Sequence, residues 1–320
     1  DEGGQISCYD IGSTGSVTFR DVSVVVSPSF SGSVNYAVGA TSTVTGSLGD
    51  DLSLCQDSSG TEHWNHYPTK TNWEGAALDT APRMQTYVSF RGYRLTAGGA
   101  SVDTGNQALG WMRLDDGSTN WAVAVRDFWQ NFPKALRASS SGQMRVGLFP
   151  DEFGPGDYAF TLRAGEHKTH ELLISANGAT NSAHQNLSSP LFAQATASWY
   201  VDSGAFGRGA VVNKTDWPNY ENYQDHQLTT SPAYEDWFDW YPNIYTSIER
   251  TDFYGIFDYG DVPLDYEGYR VSPMNLKYNM DFGMWKQWAR GGADDYFALA
   301  EAAGRHIADI DILHNLHSPR

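Results

Sequence analysis

The sequence predicts a mainly β protein, with β-sandwich domains followed by a long aromatic-rich connection and then a first pair of helices. Three observations carry this. Up to about residue 174, short segments alternate apolar and polar side chains between Gly, Ser and Asp-Gly turn signals, which is the pattern of half-buried strands. From about residue 189 to 268 that periodicity vanishes, while Tyr, Trp, Asp, Asn and Pro accumulate. Only past Pro273 does the apolar spacing become that of a helix.

The strands are read in order. Val17-Thr18-Phe19-Arg20 and Val22-Ser23-Val24-Val25-Val26 come first, punctuated by Gly and Ser near Ser31-Gly32 and from Gly46 to Gly49. Met84 to Tyr93 alternates in the same way. Leu109 to Leu114 and Trp121 to Arg126 flank Asp115-Asp116-Gly117, which predicts a hairpin with its turn at Asp-Gly. Met144 to Phe149, Tyr158 to Leu162 and Lys168 to Ile174 complete the set. So many short strands with turns between them imply sandwiches. The aperiodic stretch is too long for an ordinary loop, so it is expected to wrap another domain or wall a cleft. Met274 to Arg290 reads as a helix, with Pro273 before it and Gly291-Gly292 past its end. Asp294 or Asp295 would cap a second helix running to about His314. The expected division is 1–80, an N-terminal β region; 81–198, a central β-sandwich; 199–270, the irregular connection; and 271–320, the start of a helical domain.

Composition bounds the function. A net charge of −17 over 320 residues excludes nucleic acid and anionic membranes as natural partners and fits an acidic secreted or cell-surface protein. The basic residues are mostly Arg, which suits bidentate contacts to carboxylates and allows a local cationic pocket. No apolar run is long enough to span a bilayer. Asp1-Glu2-Gly3-Gly4 reads as a mature terminus after removal of a leader. In that setting Cys8 and Cys55 are expected to form a disulfide, the alternative being two buried thiols. Aromatic residues make up 14%, and they either fill sandwich cores or stack on sugar rings.

Four stretches gather chemistry-bearing side chains. On the second helix, His306, Asp309, Ile310 and Leu313 share a face, with His314 beside it. They are either caps and buried hydrogen bonds or catalytic and binding groups. Their spacing matches no strong metal motif, so neither a metal nor a cofactor is expected. Arg126-Asp127-Phe128-Trp129-Gln130-Asn131-Phe132-Pro133-Lys134 sits at a strand end, where it could bind a polar ligand or form a buried Arg–Asp pair. Gly165 to Glu171 carries His167, Lys168 and His170 into an apolar strand. Tyr254 to Asp261, with Lys277 to Asp281, brings together the Tyr, Asn and carboxylate groups that bind or deprotonate sugars.

Together these stretches resemble the rhamnogalacturonan exolyase-like family. The matching segments are Val125 to Lys134, Gly147 to Pro150, Gly165 to Glu171, Trp199-Tyr200, Ser203 to Gly207 and Tyr259-Gly260-Asp261. The last runs from Asn279-Met280-Asp281 through Arg290-Gly291, Tyr296-Phe297 and Arg305-His306 to Asp309–His314. The resemblance runs from about residue 84 to the end. It implies an N-terminal β domain, a central β-sandwich and a C-terminal α/α toroid, and a secreted or cell-surface protein. It further implies an anionic, uronate-containing polysaccharide as partner and β-elimination as the reaction. That chemistry needs a group that neutralises the uronate carboxylate and a base that removes the proton at C5. The expected catalytic residues are Tyr278, His306 and Arg126. The expected substrate-binding residues are Lys134, Trp129, Asn279, Asp281, Asp261 and His314. Two departures stand out. Met280 occupies a position where the family pattern expects an acidic residue. Ser318-Pro319-Arg320 comes where a third helix should start, so only the front of a toroid is expected here. The alternatives are a non-catalytic extracellular glycan-binding or structural module, part of a larger assembly, and a glycoside hydrolase using Asp258 and Asp261.

Overall fold

The computed structural model describes residues 2–9, 16–60, 86–151, 159–177, 182, 184–188, 191–207, 253–261, 263–266, 270–273, 275, 279–291 and 294–314. The chain forms two compact units. The first takes Asp1–Pro190, Tyr254–Asp258 and Ile312–Arg320, and the second takes Leu191–Phe253 and Tyr259–Asp311.

The first unit is mainly β, as the alternation predicts. One six-stranded sheet runs, edge to edge, β1 (Glu2–Tyr9), β14 (His167–Ala176), β10 (Asn120–Val125), β9 (Trp111–Asp115), β4 (Asn35–Gly39) and β5 (Thr43–Ser47). The other runs β3 (Val22–Val26), β12 (Met144–Phe149), β11 (Lys134–Ala138), β6 (Leu52–Gln56), β7 (Tyr93–Ala97) and β8 (Ala100–Gly105). A short pair joins β2 (Ser16–Phe19) to β13 (Phe160–Arg163). Every pairing is antiparallel. Strands from either side of residue 80 share both sheets: β4 pairs with β9, and β6 with β7 and β11.

Alternation decides what is buried. In β6, Leu52, Leu54 and Gln56 point inward while Ser53 and Cys55 are half-buried. Leu136 lies opposite both Leu54 and Val146, and Met112 opposite both Val38 and Val123. Each such side chain contributes about 1.5–3 kcal/mol on leaving water. The sheets meet where the ring of Phe149 on β12 stands edge-on to His170 on β14, with centroids 5.4 Å apart. The predicted hairpin forms as β9 and β10. Gly117 takes φ 89° in its turn, and Asp116 Oδ1 accepts from the Ser118 and Thr119 amides.

Two expectations are corrected here. Of the strand read over Met84 to Tyr93, residues 86–92 form no continuous strand, and β7 begins only at Tyr93. The amides of Ser89 and Phe90 are instead donated to the buried carboxylate of Asp57, and Gly92 turns the chain at φ 66°. The disulfide is not formed either: Cys55 is in no disulfide. Cys8 lies on β1 opposite Lys168 in one sheet, whereas Cys55 lies on β6 between Ala135 and Arg94 in the other. The Cys55 sulfur shares a hydrogen bond with Ser53 Oγ.

The second unit is helical in its described part, apart from one hairpin, β15 (Pro263–Tyr266) with β16 (Arg270–Pro273). A short α1 (Gln185–Ser188) belongs to the first unit, so α2 (Ala197–Ser203) is the first helix of the second. It lies within the stretch read as irregular. Its brevity hides any periodicity, but its caps are clear: Thr196 accepts from the Trp199 amide, and Gly204 closes it at φ 66°. Further on come α3 (Met280–Ala289) and α4 (Asp294–His306), the latter running into a π-helical turn over Ile307–Asp311. The helix read from Met274 starts later because Asn279, at φ 48°, is left-handed and cannot continue it. Aromatic rings hold the unit together. Phe192 stacks on Phe297 with centroids 4.2 Å apart, and Trp288 lies against Phe297 and Tyr200. No described helix is long and apolar enough to cross a membrane.

Candidate functional site

The second unit contains a buried polar network on the last turn of α4. His306, 2% exposed, has Nε2 at 2.9 Å from Asp261 Oδ1 and 3.9 Å from Asp311 Oδ1. Asn275 bridges the two carboxylates, donating from Nδ2 to Asp261 Oδ1 at 2.6 Å and to Asp311 Oδ2 at 2.8 Å. The π-helical turn brings Asp311 back toward His306, a local widening of the helix common at functional positions. Burial raises the Asp311 carboxyl above its ordinary range, and His306 opposes that rise. Gly260 lets the loop approach α4. Its φ is 102°, and a Cβ there would lie 2.3 Å from the Ala302 carbonyl oxygen. An imidazole anchored by a carboxylate is the arrangement of an acid–base histidine, and equally of a clasp tying a loop to a helix end.

The other predicted residues fall elsewhere. Asn279 is exposed at the start of α3, and its side chain makes no capping hydrogen bond. Asp281, half-buried, sits in the first turn of α3, where its charge complements the helix dipole. Tyr278 lies outside the described residues. His314 belongs to the first unit: its amide donates to the Gly165 carbonyl at 2.9 Å, and its ring lies 4.4 Å from that of His167.

Arg126, Trp129 and Lys134 lie on the segment that leads from β10 into β11, each with its own partners. Arg126 Nη1 donates to Glu171 Oε2 at 2.8 Å, and its Nε lies 3.8 Å from Asp127. Trp129 packs against Tyr254, with ring centroids 4.8 Å apart. Lys134 is wholly buried. Its ammonium donates to the carbonyls of Asn131 (2.9 Å), Leu148 (2.9 Å) and Pro133 (3.3 Å). That geometry makes it a pin between the 126–134 segment and β12, with no surface open to a polymer. Burial, reinforced by Lys168, holds its pKa well below the ordinary 10.5.

His170 lies beside these two lysines, and burial followed by their charges depresses its pKa well below 6.5. In the unfolded chain the same imidazole titrates near the ordinary value. Below pH 6.5 the unfolded state therefore binds the extra proton, and stability falls as pH drops; above it His170 contributes no slope. The wild type is expected to lose up to about 1.4 kcal/mol per pH unit relative to His170→Gln on acidification. Denaturant melts of both proteins between about pH 5 and 8 check this, and parallel curves would refute it.

Asn275 had no signal in the sequence. It is an ordinary loop asparagine until Asp261 and Asp311, 14 and 36 residues away, meet it. Among the described residues no group of three or more His, Cys, Asp or Glu side chains is placed to hold a metal ion. No curated protein matches the chain. Residues 191–316 match the family described as the PcRGLX-like protein C-terminal alpha/alpha toroid domain. That span contains α2, α3, α4 and the whole His306 network, and its match to a PcRGLX-like toroid domain is consistent with the rhamnogalacturonan exolyase-like resemblance of the sequence.

Proposed function

We propose that this protein acts outside the cell on uronate-containing polysaccharide of the rhamnogalacturonan type and cleaves it by β-elimination. The observation that carries the reading is the match of residues 191–316 to the toroid domain, with a carboxylate-anchored histidine inside it. In the reaction a base takes the C5 proton of the uronate, the electron pair forms the C4–C5 double bond, and the C4–oxygen bond breaks. The carboxylate beside C5 must be neutralised for that proton to become acidic. His306 and Tyr278 are the candidate bases, and Arg126 the candidate neutralising cation. Asn279, Asp281 and Trp129 are candidate contacts to the polymer.

The test is ultraviolet absorbance of the unsaturated uronate formed from rhamnogalacturonan. The wild type is expected to generate it, and His306→Gln or Tyr278→Phe, whichever removes the base, to slow it by about a hundredfold or more with binding retained. No unsaturated product from rhamnogalacturonan or polygalacturonate would overturn the reading. One observation favours a second reading, a non-catalytic glycan-binding module. Lys134 is buried on main-chain carbonyls and Arg126 is paired with Glu171, so two candidate cations are already engaged by the protein. Polymer binding without product would select it.

A further inference from the structure

The outward face of the sheet at β4, β5 and β9 holds a concavity of about 520 Å³, within the range of small-molecule pockets. Register builds it. Asn35 lies opposite Ser47 on one side and Asp115 on the other, and Ala37 opposite Thr45 and Arg113. Side chains two apart on a strand share a face, so these six form two adjacent rows, with the small Ala37 between Thr45 and Arg113. Asn35, Thr45 and Ser47 are exposed.

The polar groups are held in place. Arg113 Nη2 donates to Asp115 Oδ2, and the other oxygen of that carboxylate accepts from the Gly117 amide at 2.6 Å. Ser47 Oγ donates to Asn35 Oδ1 at 3.0 Å, which turns the Asn35 amide N–H₂ away from Ser47. The guanidinium is thus a fixed planar donor whose charge is balanced by its own neighbour. A neutral site on a chain of net charge −17 does not select an anion. Hydroxyl, amide and guanidinium groups around a small-residue floor match the alternating donors and acceptors of an uncharged polyol.

We propose that this concavity binds a neutral sugar unit, distinct from the uronate that the reaction consumes. It would serve to hold a polymer on the sandwich through its uncharged residues. The inference takes its ligand class from the glycan reading above, but not its geometry.

The experiment is calorimetric titration of the full chain with neutral gluco-, galacto- and xylo-oligosaccharides and with an oligogalacturonate of equal length. Thr45→Trp fills the concavity from an exposed edge strand, and Asn35→Ala/Ser47→Ala removes its polar partners without adding bulk. At least one neutral series is expected to bind, with affinity falling about tenfold or more in both variants. Oligogalacturonate affinity and the thermal midpoint should stay unchanged. No neutral binding, or neutral binding insensitive to both variants, overturns the inference. Measuring unsaturated product on the same proteins separates the two readings. Product with variant-insensitive binding sinks this inference alone, whereas variant-sensitive binding without product sinks the lyase reading alone.

Discussion

Lys134→Ala is expected to destabilise the first unit by roughly 2–4 kcal/mol, one of the two largest single-residue effects foreseen here. The lysine looks like a poor choice for a core, since burial alone drives its pKa far below the ordinary value. Its removal is nevertheless harmful because of what it satisfies. The carbonyls of Asn131, Pro133 and Leu148 converge on one ammonium, and alanine leaves them facing a void. Lys134→Met separates the two contributions: it restores most of the volume but none of the donors, so it should recover only part of the loss. Both replacements also remove a positive charge beside His170, so its pKa should be depressed less and the loss of stability in acid described above should become smaller. Denaturant unfolding measures the first effect and its pH dependence the second. A stable Lys134→Ala protein with an undiminished loss of stability in acid would contradict the pin.

Gly260→Ala is expected to cost about 2–5 kcal/mol in the second unit and to disrupt its polar network. Two effects add. The backbone at φ 102° is one that side-chain-bearing residues rarely adopt. A Cβ would also meet the Ala302 carbonyl oxygen at 2.3 Å and His306 Cβ at 2.7 Å, atoms of a helix that cannot step aside. Relief requires the loop to move off α4, which carries Asp261 away from His306 Nε2. If His306 is the base of the proposed elimination, Gly260→Ala should lower kcat more than it raises KM. If the pair is only a clasp and Tyr278 is the base, stability should fall with little direct effect on the chemical step. Unfolding curves and steady-state kinetics on the same preparation distinguish these outcomes. Unchanged stability would contradict the close approach itself.

What could be read in the sequence was local. Asp115-Asp116-Gly117 announces its hairpin because the turn needs a residue at positive φ, and Gly117 supplies one. The helices at α3 and α4 were legible from apolar spacing, though not their boundaries, because the left-handed Asn279 is set by context. β5 was missed, since Thr43–Ser47 is a polar edge strand whose alternation is between exposed and half-exposed positions. Residues 86–92 show the reverse failure. Their alternation is genuine, yet Asp57, some thirty positions earlier, captures the amides that a strand would have used. For the site, the sequence singled out His306 and Asp261 but could not show that they touch, nor that Asn275 joins them. Lys134 was legible as unusual and not as buried, because nothing in a linear order shows three carbonyls converging.

The sandwich is completed by residues that come late in the chain. The Gly255 and Ile256 amides donate to the carbonyls of Gln130 and Phe132, Asp258 accepts from the amide and hydroxyl of Thr86, and the His314 amide reaches Gly165. During synthesis the strands before residue 177 can pair as they emerge, but these contacts must wait for residues 254–258 and 314, which follow segments of the second unit in the chain. Completion of the first unit is thereby coupled in time to appearance of the second. A ribosome-bound chain that ends short of Tyr254 would hold a sandwich with its sheets in register and the polar groups of Thr86, Gln130 and Phe132 still exposed to solvent.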